Sequence, residues 1–391
     1  MKLKKNIIKD YYFTFSSRLD LTQGVWMLYL ATRGLTLFQI GLLETVYHIS
    51  SFLMEIPTGA IADIYGRRVS RILSRIVAAV SIIIMIYADN FYMFGLSFVF
   101  MALSNNLESG AGDALIYDSL IELKIEGSYS RIKGKNEFVY QLTKVLAYIL
   151  GGYIATKSYL DVYRLSLLIS AITIIQALFF MEPTVGTVKR SHNFLTTFSK
   201  QIKDSFIVIK NDKCLFEIIL FFELFSTFYV TEFFYLQNRL KNLGKSELYI
   251  GIVLSMGALV AAIIATKTHT IEKRYGLKRI LTIGPIIAIF SFIGMGIKGF
   301  EVYSFIILSG VEGILYVSLS DYLNSQIPSE QRATIISVQS MAFSFFMIIL
   351  FPIIGKIGDL YNLNIGFRII AFFSTISLVA MVYLVRRGKR W

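Results

Sequence analysis

Twelve mostly apolar stretches, each near the length needed to cross a bilayer, run through this chain: 11–31, 38–62, 70–89, 91–117, 136–156, 163–181, 214–236, 248–267, 279–298, 301–322, 334–354 and 365–385. A helix spanning the hydrocarbon layer takes about 20 such residues, and it pairs its own backbone polar groups where no water can. The bulk numbers agree with that reading. Of 391 residues, 55% are hydrophobic and only 17% charged, against roughly 45–50% and 25% in ordinary globular domains. The sequence therefore predicts an all-α integral membrane protein with twelve transmembrane helices. The first, fourth and seventh stretches carry internal polar residues and depart furthest from a plain apolar span.

Thirty-nine Lys and Arg against 26 Asp and Glu give a net charge of +13. In a soluble protein that excess would suggest nucleic acid. Here its placement decides otherwise. With the N-terminus inside and the helices alternating, 27 of the 39 bases fall in cytoplasmic segments and nine in outer loops or outer helix ends. That bias follows the positive-inside rule. It predicts a multi-pass protein of a cytoplasmic membrane with both termini cytoplasmic, the lipid bilayer as its surroundings and no nucleic-acid partner.

The longest polar interval, 183–213, divides the spans six and six. The expected organisation is a six-helix bundle over 1–182, a cytoplasmic central loop over 183–213 and a second bundle over 214–391. Phe194 to Ile209 alternate apolar and basic positions loosely, which suits either an amphipathic helix on the inner membrane face or a solvated linker. The halves echo each other. Asp63-Ile-Tyr-Gly66-Arg67-Arg68 follows the second span, and Glu272-Lys-Arg-Tyr-Gly276-Leu-Lys278-Arg279 follows the eighth. Asp118 to Arg131 after span four is matched by Asp321 to Arg332 after span ten. Duplicated six-helix halves are a transporter architecture.

The most specific local pattern is Gly59-Ala-Ile-Ala-Asp63-Ile-Tyr-Gly66-Arg67-Arg68. Gly59 is small where helices could approach closely. Asp63 at the inner boundary can pair with arginine or face a helix N-terminus. Gly66 permits a tight turn, and Arg67 and Arg68 hold the loop at the membrane surface. Such a cluster works either as a latch, made in one conformation and broken in another, or as a charged turn that only sets topology.

This segment resembles the loop motif Gly-x-x-x-Asp-x-x-Gly-Arg-Arg of the major facilitator superfamily. Ser109-Gly110-Ala-Gly-Asp113-Ala-Leu-Ile-Tyr117-Asp118-Ser-Leu120, Gly151-Gly152 and Glu182-Pro183 are similar to stretches of its small bacterial drug-antiporter-like members. The resemblance implies two pseudo-symmetric six-helix bundles around a central cavity, working by alternating access. One departure stands out. The antiporter pattern Gly-x-x-x-Gly-Pro-x-x-Gly-Gly keeps only its final pair here, with Thr143, Ala147 and Tyr148 at the earlier positions.

Ionisable residues inside spans cost about 2.5–3.5 kcal/mol each on insertion scales, so each is a functional candidate. Asp20, Glu108, Glu223 and Glu312 fall one each on spans one, four, seven and ten, the spans that the resemblance places around the cavity. A carboxyl group in a partly dry cavity can load and release a proton, and Asp20 and Glu108 rank first for that role. Arg18, Asp113, Asp118, Glu137 and Lys144 are secondary candidates. Static ion pairing is the competing role for each acid. Most aromatic runs suit interfacial anchoring or helix packing. Pro57, Pro285 and Pro352 mark expected kinks.

One cysteine and three scattered histidines offer no disulfide or metal site. No phosphate-binding Gly-x-x-x-x-Gly-Lys motif and no catalytic triad occurs, so neither a cofactor nor an enzyme activity is expected. The expected function is a monomeric secondary transporter in a bacterial cytoplasmic membrane, exchanging a small amphipathic compound for protons. A carrier for a specific metabolite, sugar, peptide or lipid is the alternative, and a transport-dead receptor or scaffold is the alternative of a different class.

Overall fold

A computed structural model describes residues 3–184, 213–326 and 332–388. The expected surface helix Phe194 to Ile209, and nearly all of the 183–213 loop, lie outside these residues. The secondary structure of the described residues is helical, and they contain no strand. The helices are α1 Lys4–Arg18, α2 Trp26–Thr32, α3 Leu37–Tyr65, α4 Arg67–Tyr87, α5 Phe91–Glu122, α6 Tyr129–Ala155, α7 Tyr159–Leu178, α8 Lys213–Asn242, α9 Glu247–Tyr275, α10 Leu277–Met295, α11 Glu301–Gln326, α12 Arg332–Leu360 and α13 Leu363–Gly388. Ten of them (α3, α4 and α6 through α13) are long and apolar enough to cross a membrane. Pro57, Pro285 and Pro352 lie within helices, as expected.

The first expected span is a broken one. α1 ends at Arg18, and the Asp20 carboxylate accepts hydrogen bonds from the Thr22 backbone N–H at 3.0 Å and its hydroxyl at 2.6 Å. This turn competes with helix continuation, the usual behaviour of Asp beside its own backbone. The helix restarts only at Trp26. The fourth expected span, α5, runs 32 residues with Asn105, Asn106 and Glu108 near its middle, and is not among the ten.

The internal repeat is written into the backbone. Gly34 and Gly244 have φ of +85° and +78°, and each stands three residues before a long helix. Gly66 and Gly276 have φ of +101° and +81°, and each separates consecutive helices by a single residue. Both pairs are offset by 210 residues, as are the starts of α3 and α9, α4 and α10, and α5 and α11. Only glycine enters these backbone regions without strain.

The described residues fall into two compact units. The first lies within Met1–Tyr29, Val46–Phe198 and Ser246–Ile252. Its α4–α5 pair is joined by serines instead of apolar knobs. The Ser74 and Ser104 hydroxyls donate to each other's carbonyls at 2.8 and 3.0 Å. Ser81 and Ser97 do the same at 2.8 and 2.9 Å, and Ser70 donates to Leu107 at 2.7 Å. Small hydroxyl residues let membrane helices approach closely and bond across the seam. Close approach also explains Gly152 and Gly251: a Cβ on either would stand 2.5 Å from the Glu247 carbonyl or 2.2 Å from that of Tyr148.

The second unit lies within Leu30–Thr45, Ser199–Lys245 and Val253–Trp391. The start of α3 packs on α12 there. The Asp359 carboxylate accepts from the Leu37 and Phe38 backbone N–H groups at 2.9 and 2.8 Å, capping the helix. Buried share singles out two helices. Of the apolar window, 61% is buried in α8 and 56% in α11, against 28–39% in the other eight spans. Glu232 of α8 is fully buried, whereas Glu223 of α8 and Glu312 of α11 are half-buried. Elsewhere large apolar side chains such as Leu168, Phe290 and Phe372 point outward, as a lipid-facing surface requires.

Alanine at Gly66 or Gly276 enters a backbone region costing about 1–3 kcal/mol. At Gly66 the new Cβ also falls 2.8 Å from the Glu182 carboxyl group, whereas at Gly276 it meets nothing within 4 Å. Both variants are expected to lower the melting temperature in detergent, Gly66→Ala by more. Equal losses would remove Glu182 from the explanation.

Candidate functional site

The chain organises its charges into two inner clusters in the first unit and one cavity in the second. The first cluster is the Gly59–Arg68 motif. Gly66 gives α4 no capping side chain. Glu182, more than a hundred residues away, supplies one by accepting from the Arg67 and Arg68 backbone N–H groups at 2.6 and 2.7 Å. A carboxylate there meets both the orphan N–H groups and the positive end of the helix dipole. The Arg67 guanidinium reaches Asp63 at 2.7 Å and Asp118 at 3.7 Å, and Arg68 donates to the Leu178 carbonyl at the end of α7 at 2.7 Å. Four of the five motif residues thus meet in one junction of helix ends. Gly59 does not: a Cβ there would meet no atom within 4 Å, so the close approach expected of it is absent in this conformation.

The second cluster centres on Arg71, one turn further along α4. Its side chain is 4% exposed and donates to Asp10 at 2.8 Å and to Glu108 at 3.0 Å. The Phe13 and Phe180 ring centres lie 4.2 and 4.6 Å from the guanidinium carbon, adding cation–π attraction. The Asn136 amide holds the second Asp10 oxygen at 2.7 Å. Glu108, expected as a proton-loading acid, is thus a member of a buried ion triad. Its Oε2 atom is buried with no hydrogen-bond partner among the described residues.

Beside the triad is a polar pocket of about 200 Å³ that Arg18, Asp113, Lys133 and Glu137 also line. Asp113 pairs with Lys133, Glu137 accepts from Gln141 at 2.7 Å, and Arg18 lies 5.1 Å from the Tyr140 ring centre. Lys144 sits 5.9 Å from the Tyr148 ring centre. Asp20, ranked first with Glu108, is exposed in the α1–α2 break and bonded to Thr22.

The second unit holds a cavity of about 310 Å³ between α8, α10, α11 and α12. Glu223 and Glu312 both line it, with Tyr229, Phe292, Tyr316 and Gln339. The Gln339 amide donates to Glu223 at 3.1 Å. No Lys or Arg is among the described lining residues. Two carboxyl groups, an amide and an aromatic wall can hold a proton, a cation or a polar solute with an apolar body.

Several relevant residues are missing from the sequence reading. Asp10 lies in what reads as a basic cytoplasmic leader, and only its meeting with Arg71 marks it. Gln339 has no charge to attract notice. Glu44 is a buried acid within an apolar stretch, four residues before His48, and its position in a span was a legible signal.

The family model of the Major Facilitator Superfamily matches residues 15–338. The chain belongs to the Major Facilitator Superfamily. It is 25% identical over 397 residues, covering 94% of each chain, to the uncharacterized MFS-type transporter YxaM of Bacillus subtilis (strain 168). Among solved structures, the nucleoside transporter NupG matches with a TM-score of 0.77 at 14% identity, covering 98% of this chain and 99% of that one. A bacterial homolog of the human lysosomal transporter Spinster, inward-facing and unoccupied, matches with a TM-score of 0.76 at 16% identity over 100% and 98%. These likenesses establish the fold. The protein is a multi-pass membrane transporter of this superfamily, not an enzyme.

Within the superfamily fold, Arg71 is expected to be structural. Arg71→Met leaves two buried carboxyl groups facing each other and should cost about 3–5 kcal/mol, the usual penalty for breaking a buried pair from one side. Neutralising both partners in that background (Asp10→Asn with Glu108→Gln) should recover part of it, read as detergent melting temperature. Asp113→Asn, which breaks an exposed pair, should cost no more than about 1 kcal/mol.

Proposed function

We propose that this transporter is a proton-coupled exporter of small amphipathic compounds, working by alternating access as a monomer in the bacterial cytoplasmic membrane, with both termini cytoplasmic. The observation that carries the reading is the second-unit cavity, where Glu223 and Glu312 share an aromatic-lined space with no Lys or Arg among its described lining residues. Such acids bind a proton or a cationic group and release one for the other. In the first unit Glu108 is engaged by Arg71, and Asp20 by its own turn. The coupling role therefore moves to Glu223 and Glu312. The Asp63–Arg67–Asp118 junction, with Glu182 on the α4 terminus, is the latch of this cycle, because rearranging helix ends would break several charge-assisted bonds together.

A second reading has its own support. The Glu223–Gln339 pair offers a carboxylate and an amide 3.1 Å apart, which suits a neutral hydroxylated solute. NupG is a nucleoside transporter, and a D-xylose–proton symporter also shares this fold, with a TM-score of 0.70.

Flux in proteoliposomes separates these readings, using tetraphenylphosphonium and ethidium against uridine and xylose, with and without an imposed pH gradient. Gradient-driven movement of the cations is expected, falling at least about tenfold in Glu223→Gln and Glu312→Gln, the scale of one lost charge-assisted interaction. Gradient-driven uridine or xylose flux with immobile cations would install the metabolite reading. Indifference of every transported probe to the gradient would remove proton coupling. Asp63→Asn should abolish flux while leaving membrane insertion intact, and unchanged flux would reduce the motif to a topological turn.

A further inference from the structure

Glu232 lies on α8 nine residues beyond Glu223, about 13–14 Å along the helix axis. It does not line the cavity. Its exposure is 0%, and both carboxyl oxygens are buried without a hydrogen-bond partner among the described residues. Spacing places it on the same helical face as Phe228, four residues before, and Tyr235, three after. The Phe228 ring packs 6.3 Å from Phe292 of α10 and the Tyr235 ring 4.7 Å from Phe351 of α12. The Tyr235 hydroxyl is committed to the Phe351 carbonyl at 2.8 Å and the Leu37 carbonyl at 3.3 Å. Glu232 thus occupies an aromatic layer of the most buried helix.

The charged groups on the helices packed against α8 are occupied or placed elsewhere. On α11, Glu301 holds Arg239 at 3.0 Å and Glu312 lines the cavity. On α12, Asp359 caps α3 and Lys356 is exposed, and on α3, whose Leu37 carbonyl meets Tyr235, Glu44 is buried with an interaction of its own. Arg368 of α13 is exposed, Lys278 and Arg279 stand in the first turn of α10, and Asp321 is exposed near the end of α11. Among the described residues none of them forms an ion pair with Glu232. An ionised carboxylate buried with neither partner nor water costs several kcal/mol, far more than the neutral acid.

We infer that Glu232 is a reversible proton-binding site separate from the substrate cavity. It holds its proton while occluded as here and yields it to water when movement of α8 hydrates the aromatic layer. The step is a bare acid dissociation, in which the O–H bond breaks and the proton leaves with water. The inference rests on the proposed proton coupling and extends it. A proton held here does not compete with a solute for Glu223, and α8 carries both groups on one rigid element.

The test needs no substrate. Infrared difference spectra of the full-length protein in lipid vesicles, taken between acid and alkaline pH, report protonated carboxyl groups by their C=O stretch. A carboxylic-acid component is expected that Glu232→Gln deletes and the Glu223→Gln/Glu312→Gln double variant keeps. Glu232→Asp should shift this component without abolishing it, which covers the case in which the glutamine variant does not fold. Difference spectra of the Glu232 variants that superpose on the wild type would overturn the assignment. Because no gradient or flux enters this measurement, a gradient-indifferent transporter with a titrating Glu232 would refute coupling and leave the site standing.

Discussion

A charge in a water-free bundle must be paired or neutral, and Arg71 shows what pairing demands. Its guanidinium is tied to carboxyl groups on α1 and α5 and lies against the Phe13 ring of α1 and the Phe180 ring just beyond α7. Arginine cannot shed its charge, so these elements must stay assembled around it wherever α4 goes. The serine bonds along α4 and α5 extend the same logic to neutral groups, since each hydroxyl satisfies itself on the facing backbone. One helix of the first unit is thereby bonded to its neighbours along most of its length. The motif at its N-terminus, held by Glu182, continues that rigid body instead of standing as an isolated loop.

The two halves share a backbone repeat but not a charge plan. At the 210-residue offset, Arg71 corresponds to Leu281 and Glu108 to Ser318. The second half has no counterpart of the triad at these positions. Four of its acids, Glu223, Glu232, Glu301 and Glu312, instead lie on α8 and α11, the most buried of the ten spans. Glu301 is paired with Arg239, Glu223 accepts a hydrogen bond from the Gln339 amide, and Glu232 has no hydrogen-bond partner among the described residues. Duplication supplied one scaffold twice. Divergence then gave one copy an arginine-centred ion triad and the other a cavity lined by two acids and no described Lys or Arg.

Elements defined by local chemistry were legible in the sequence. The apolar lengths outlined ten spans closely, the Gly66 turn broke the chain where a positive φ was needed, and the Gly66–Gly276 spacing exposed the repeat. Pairing of Asp63 with an arginine could be read from its place at the inner boundary beside Arg67 and Arg68. What spacing could not convey was helix rotation. The acids of α8 fall at positions 217, 223 and 232, which do not share one helical face, so spacing alone does not tell whether Glu223 or Glu232 meets the cavity. Asp20 misled for a different reason: hydropathy treated it as interior, while its side chain bonds to the backbone two residues on and ends the helix. Gly59 misled because a motif residue was assigned a contact that this conformation does not make. Glu182 was noticed only by likeness, because its partners are backbone groups that no sequence pattern marks.

The division of labour between the halves also bears on how a proton can be useful. An acid bonded to arginine gives up little when it ionises, because the attraction is already present; protonating it breaks the pair and exposes an unpaired cation. Such a group is a poor carrier and a good clamp. An acid facing rings and an amide behaves oppositely. Its neutral form suits the dry site and its ionised form requires water or a cation, so its occupancy tracks the hydration of its surroundings. Movement of α8 or α11 that admits water changes that hydration directly. The acids best placed to respond to such movement are those on the most buried spans, and α8 and α11 both line the cavity of the second unit.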